Sequence, residues 1–470
     1  MTKHDSLILV DMNIDSGDTA WVLVSAALVM LMTPGLALFY GGMVRAKSVL
    51  NMMMMSIGTM GTVGVLWVLV GYSQAFGDSL GGFMGDPTEF AGLSQLLSPD
   101  AVSGSTPALA FVAFQAMFAI IATALVSGAI ADRAKFSTWL VFTAIWSVVV
   151  YFPIAHWVFA FDATDAAGNV VSHGGWIANA IEAIDFAGGT AIHINAGAAA
   201  LALVLVLGNR QGFGNEPMRP HNLTLVMLGA GLLWFGWFGF NGGSALAAGE
   251  VASVAFVNTL AAPAAAILGW LLVERLRDGH FTSLGAASGI VAGLVGITPG
   301  ANAVTPMGAL AIGLVSGMAC AAAVGLKERF GYDDSLDVVG VHLVGGLVGT
   351  LLIGFLASSQ APAGVDGLFY GGGADQLWRQ AVGAFAVLFV SFVVTYLIGL
   401  ALEKTIGFRV DPDAELSGID AALHSESAYE ILADGSIRRT DRGDLGDEQV
   451  FAPSERGSGM VHEQEPFTQP

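Results

Sequence analysis

Hydrophobic positions along this chain fall into long unbroken runs of about twenty residues, separated by short polar connections. The runs do not show the two-residue alternation of strands. They lie near 20–41, 51–73, 107–130, 137–159, 186–207, 222–245, 252–273, 283–299, 306–326, 338–357 and 380–402. A helix of about twenty apolar residues spans the roughly 30 Å hydrocarbon core of a bilayer. The pattern predicts an all-α polytopic membrane protein with eleven transmembrane helices.

The connections alternate in charge. Arg45 and Lys47, Arg133 and Lys135, Arg210 and Arg219, Arg275 and Arg277, and Lys327 and Arg329 follow the odd-numbered runs from the first to the ninth. The intervening connections carry no Lys or Arg, and Arg379 at the edge of the last run is the one base that borders them. Basic loops stay cytoplasmic, which predicts the N-terminus outside, the C-terminus inside and residence in the cytoplasmic membrane. An odd helix count accommodates an inverted five-plus-five helix repeat plus one extra helix. "FYGG" (39–42) and "FNGG" (240–243), Asn51 and Asn258, and "HINAGAAAL" (193–201) and "HLVGGLVGT" (342–350) recur in that order. Inverted repeats place a substrate path near the bilayer midplane between the halves.

Composition agrees: 54% of the 470 residues are hydrophobic and 12% charged, against about a quarter charged in a soluble domain. The acidic N-terminus lacks a basic region followed by an apolar stretch, so no cleavable signal peptide is expected. The single cysteine, Cys320, rules out a disulfide framework and a thiolate metal site. The net charge of −20 gives no reason to expect nucleic-acid binding, and no cofactor motif is present. Fourteen acids against six bases lie from residue 404 onward, as suits a solvated segment.

Two histidines inside apolar runs demand an explanation, because ionisable groups in membrane spans are costly and mark pathways. His193 lies eight residues beyond Asp185 in the fifth run, about 12 Å deeper at 1.5 Å per residue. His342 lies five residues beyond Asp337 in the tenth, which runs the other way. The pair therefore approaches the midplane from opposite faces, each behind an acid at the water edge. Asp185 and Asp337 also suit helix starts, where a carboxylate meets free N–H groups. Two histidines without further ligands make an incomplete metal site. Phe114 and Phe118, four apart, share a face of the third helix, and Trp237 and Phe240 are three apart on the sixth, with Ser244 one turn on. Aromatic faces attract a desolvated cation, and a hydroxyl accepts a hydrogen bond from one.

These stretches together, "FYGGMVRAKSVLN", "FQAMF", "YFPIAHW", "DFAGGTAIHINAG", "GWFGFNGGSA", "AFVNT", "GLVGITP" and "DVVGVHLVGG", resemble the ammonium transporter (Amt/Rh) family, on the Amt side. The resemblance runs in order from about 20 to 430. It implies a homotrimer with a narrow hydrophobic pore in each subunit, carrying ammonium or methylammonium. By position, His193 and His342 resemble the twin pore histidines, and Phe118 and Phe240 the stacked gate below Phe114. Ser244 resembles the recruitment hydroxyl, Asp185 the acid behind it and Trp237 a pore-lining aromatic; Thr298, Asp337 and Asn241 match less fully. Phe159 stands where many members place a tryptophan of the external cation cage. Residues 1–403 form the membrane domain on this reading, and 404–430 resemble the regulatory region on which PII-type signal proteins dock. The remainder, 431–470, reads as a disordered acidic tail. Three rivals accompany this reading: an ammonium sensor, an intramembrane His/Asp metalloenzyme, and an Rh-type gas or urea channel.

Overall fold

The computed structural model describes residues 14–165 and 167–429; the tail at 431–470 lies outside the described residues. Among the described residues, eleven helices are long and apolar enough to cross a membrane: α1 (Ser16–Met43), α2 (Ala46–Phe76), α3 (Ala108–Ile130), α4 (Phe136–Phe159), α5 (Gly189–Leu207), α6 (Leu223–Gly243), α7 (Glu250–Asp278), α8 (Ser283–Gly300), α9 (Pro306–Phe330), α10 (Val339–Leu356) and α11 (Asp375–Thr405). They match the eleven apolar runs. Among the described residues, strand structure is confined to two short antiparallel pairs, Val102–Ser103 with Thr106–Pro107 and Ala163–Thr164 with Val170–Ser172.

Four of these helices begin at a side-chain acceptor for their free N–H groups. Asp15 accepts from Asp18 N (2.9 Å), Asn222 from Leu225 N (3.1 Å), Thr282 from Gly285 N (2.9 Å) and Thr305 from Gly308 N (3.2 Å). Asp15 and Asn222 hold equivalent places before α1 and α6, the first helices of the two predicted halves. Asn51 and Asn258 repeat the relation one helix later. Asn51 Nδ2 donates to the Ala134 carbonyl (3.3 Å), and Asn258 Nδ2 to those of Ala301 and Val304 (2.9 Å each). α1 packs along α6, α7 gathers α8 and α9, and α11 lies against α5 and α10. Large apolar side chains such as Leu23, Val65, Leu268 and Phe389 point outward, as lipid-facing positions require.

The basic connections meet on one face in a buried ionic cluster. Arg210 grips Asp333 with two bonds of 2.8 Å and reaches Asp132 at 3.2 Å, which Arg45 also contacts at 3.1 Å. Arg133, fully buried, donates to Ser335 Oγ and to the Asp333 carbonyl, both at 2.6 Å. Burial pushes the Asp333 carboxyl up, but Arg210 and Arg133 outweigh it and hold the group below the usual carboxylate range. The segment after α11 docks on this face. Asp420 accepts from Leu50 N (2.9 Å) and Asn51 N (2.8 Å), supplying the cap that α2 lacks locally. Glu415 accepts from Gln211 N (2.6 Å) and Arg409 (2.8 Å), and Tyr429 meets His221 at 3.1 Å.

Candidate functional site

The two histidines sit in matching local structures. Each occupies a one-turn π-helical stretch, Gly189–Ile194 for His193 and Val339–Leu343 for His342, that opens its helix. Such turns leave the regular ladder, cost stability and recur at functional sites. A carboxylate holds each start in place. Asp185 Oδ1 accepts from Gly188 N (2.9 Å) and Gly189 N (2.6 Å), and Oδ2 from Thr190 N (2.8 Å) and Ala191 N (3.0 Å). The turn into this cradle passes through Gly188 at φ +110°, a conformation that a side chain would strain. Burial pushes the Asp185 carboxyl above its ordinary range, against the opposing pull of those four donors.

In the second half the matching carboxylate is Asp334. It accepts from Val338 N (3.0 Å) and Val339 N (2.7 Å), and it precedes His342 by the same eight residues that separate Asp185 from His193. The sequence expectation had paired Asp185 with Asp337. Asp337 instead takes a left-handed backbone (φ +63°), which turns its side chain away from the helix start, and binds Lys327 Nζ at 2.6 Å. Asp337 lines a cavity together with His342.

α5 and α10 cross closely enough to bring the imidazoles together. A Cβ at Gly197 would lie 2.4 Å from the Leu343 backbone nitrogen, so only glycine permits this crossing. His193 Nδ1 and His342 Nδ1 are 3.2 Å apart, with ring planes 26° apart. One nitrogen must donate and the other accept, so the two rings cannot both be fully protonated while they share this bond. Among the described residues, His193 Nε2 is buried and has no hydrogen-bond partner.

Aromatic rings continue the line. His193 stacks on Trp237 (centroids 5.4 Å), whose Nε1 donates to Thr298 Oγ1 at 2.8 Å. Phe240 follows at 6.3 Å from His193 and stacks almost parallel on Phe118, with centroids 4.2 Å apart and planes within 7°. Rings so close leave no space between them. Phe114 packs on Phe118 at 4.8 Å, and Phe159 meets Phe118 edge-on at 6.5 Å. Ser244, partly exposed beyond Phe240, donates its hydroxyl proton to the Phe240 carbonyl at 2.8 Å, which leaves its oxygen lone pairs able to accept. Asn241 lies aside, bonded to Thr259 Oγ1 at 2.9 Å.

Met32, Leu233, Trp237, Phe240, His193 and His342 line a cavity of about 10 Å³ for the centre of a water-sized sphere, room for roughly one water. A second cavity of similar size, lined by Tyr40, Ser288, Asp337 and His342, continues toward the basic face. The sequence reading thus brought together His193, His342, Trp237, Phe118, Phe240, Phe114, Phe159 and Ser244. It missed Tyr40, which lines both cavities and donates to the Leu125 carbonyl at 3.1 Å. It also missed Gln380 of α11, wholly buried. Gln380 accepts from Ile184 N (2.6 Å) and donates to the carbonyls of Ile184 (2.7 Å) and Thr350 (3.2 Å), tying the extra helix to the approach to α5 and to the later half of α10. A polar amide in an apolar run was the available signal for Gln380; the repeated eight-residue spacing was the signal for Asp334.

Known proteins share this architecture. The Ammonium Transporter Family model matches residues 20–429. A Mycobacterium tuberculosis protein named ammonium transporter is 60% identical over 445 residues, covering 90% of this chain and 92% of its own length. The crystal structure of Candida albicans Mep2 superposes with a TM-score of 0.78 at 33% identity, covering 85% of this chain and 88% of that one. A protein titled sensor Amt protein superposes at 0.77 with 30% identity, covering 86% and 98%.

Proposed function

This chain belongs to the ammonium transporter family as a multi-pass membrane protein that moves ammonium across a membrane, and we propose that the line of rings from Ser244 to His342 is its path. The observation that carries this reading is the unpartnered, buried Nε2 of His193, on a ring that lines a cavity whose other walls, His342 and Tyr40 apart, are apolar or aromatic.

The outer end recruits the cation. The phenyl faces of Phe118 and Phe159 attract a desolvated ammonium, and the Ser244 oxygen accepts one of its N–H groups. Asp185 acts through the fold, holding the start of α5. Beyond the site, the stacked Phe118 and Phe240 close the path until a ring turns. A permanent ion such as K⁺ that entered this space would lose its water with almost no replacement oxygen ligands. Ammonium escapes that penalty by leaving its proton behind.

The histidine pair supplies the means. With the bridging proton on His193 Nδ1, His193 Nε2 is an acceptor and His342 Nε2 carries N–H; a proton taken up at His193 Nε2, passage of the bridging proton to His342 Nδ1 and loss of one from His342 Nε2 together reverse both ends. Either arrangement gives a polar row that can take a proton at one end, hydrogen-bond ammonia along its length and return a proton at the other. Trp237, oriented by Thr298, walls the row against water.

The assembly on this reading is a homotrimer in the cytoplasmic membrane, N-terminus outside, with a pore in each subunit. The membrane domain is 1–403. Residues 404–430 form the regulatory region, which a PII-type partner meets on the basic face where Asp420 and Glu415 dock. Reconstituted protein tests the transport reading: an ammonium or methylammonium gradient should drive flux well above that of empty vesicles, while an equal K⁺ gradient should not. Equal flux of both cations would overturn it.

A further inference from the structure

Asp337 lines the second cavity together with His342 and is itself partly exposed. There the Nζ of Lys327 donates to Asp337 Oδ1 at 2.6 Å and to the Asp334 carbonyl at 3.2 Å. The pair is only partly exposed, at 21% and 23% of the two side chains. A carboxylate oxygen and a backbone carbonyl, half withdrawn from water beside the last histidine, form a receptor for an N–H-bearing monocation. The lysine head group is chemically an alkylammonium, presenting the same N–H donors as the substrate.

We propose that Lys327 is a tethered occupant of an ammonium site at the exit of the path. It keeps the Asp337 carboxylate filled so that departing substrate is not retained there. The inference rests on the transport reading and deepens it. Without the lysine, the half-buried carboxylate would be the strongest attraction along the path, at the place where substrate regains its proton. A cation on a short tether competes at an effective concentration in the millimolar range, enough to displace a weakly held free cation while remaining part of the wall. A purely structural ion pair between the end of α9 and the start of α10 would have no such consequence for free ammonium.

The test uses the full-length protein in right-side-out membrane vesicles, measuring initial entry of labelled methylammonium against increasing ammonium chloride inside, with sodium chloride as the matched control. Lys327→Met should lower the internal ammonium needed for half-inhibition by at least about tenfold. Adding Asp337→Asn to Lys327→Met should restore the wild-type value. A Lys327→Met protein that transports with unaltered internal inhibition overturns the proposal. Purified Lys327→Met should also melt at a higher temperature in ammonium than in equal sodium, a difference the wild type lacks; its absence counts equally against the idea. Should Lys327→Met fail to accumulate, ammonium supplied during expression should restore the yield of folded protein, and no restoration overturns the tethered-occupant role. Wild-type vesicles that fail to carry methylammonium would strike the transport reading, whereas the melting comparison would still decide the role of Lys327.

Discussion

Asp185 and Asp334 cap the two histidine-bearing helices with unequal numbers of donors, and that inequality sizes the effect of neutralising each. Asp185 accepts two N–H groups on each oxygen. Asparagine keeps one acceptor oxygen and turns an NH₂ toward the other two donors, leaving them unpaired. A buried donor left without a partner costs about 1–3 kcal/mol, so Asp185→Asn should cost roughly 2–6 kcal/mol. Asp334 accepts one N–H on each oxygen, so Asp334→Asn strands a single donor and should cost about 1–3 kcal/mol. Thermal unfolding of the purified proteins should therefore order them wild type, Asp334→Asn, Asp185→Asn from most to least stable. Among molecules that remain folded, Asp185→Asn should leave the half-saturating methylammonium concentration near wild type, because the carboxylate is occupied by backbone. An Asp185→Asn protein that melts like wild type but needs far more substrate would refute this, and would make the acid a direct cation ligand.

Further expectations follow from single contacts. Phe159→Trp places a stronger π face edge-on to Phe118 and should lower half-saturating methylammonium about two- to fivefold, from roughly 0.5–1 kcal/mol of added cation–π attraction; unchanged uptake kinetics would remove Phe159 from the cage. Asp333→Asn strands the buried Arg210 and Arg133 and should cost about 3–5 kcal/mol in melting experiments. Because the folded state depresses the Asp333 pKa, its stabilisation is present above the ordinary carboxylate value and is lost as pH falls toward its folded value. The acid sensitivity of wild-type unfolding should therefore shrink in Asp333→Asn. Asp420→Ala uncovers Leu50 N and Asn51 N, costing about 0.5–2 kcal/mol, and should expose 404–429 to limited proteolysis.

The spans were legible because hydrocarbon thickness fixes helix length, and an apolar run needs no partner to be recognised. The histidines stood out for the same reason, as polar groups in the wrong solvent. Phe118 and Phe240 come from helices far apart in sequence, and their near-parallel stack depends on how the halves cross, so the spacing alone gave only membership of a cluster and the stack was expected from the family resemblance. Asp337 was mistaken for the helix cap because three acids crowd within five residues, 333, 334 and 337. The positive φ of Asp337 decides which of them faces the free N–H groups, and that is a property of the turn. Docking of 404–429 was illegible for another reason: Asp420 bonds backbone N–H groups 370 and 369 residues away, and backbone donors leave no trace in side-chain identity.

The central claim is that the imidazole pair provides the path by which ammonium separates from permanent ions. Replacing His193 and His342 together by alanine, and comparing methylammonium with K⁺ flux in the same vesicles as wild type, tests it most directly. The account predicts that selective methylammonium flux is lost, either abolished outright or replaced by leakage of both cations. Undiminished, selective methylammonium flux through the doubly substituted protein would contradict it.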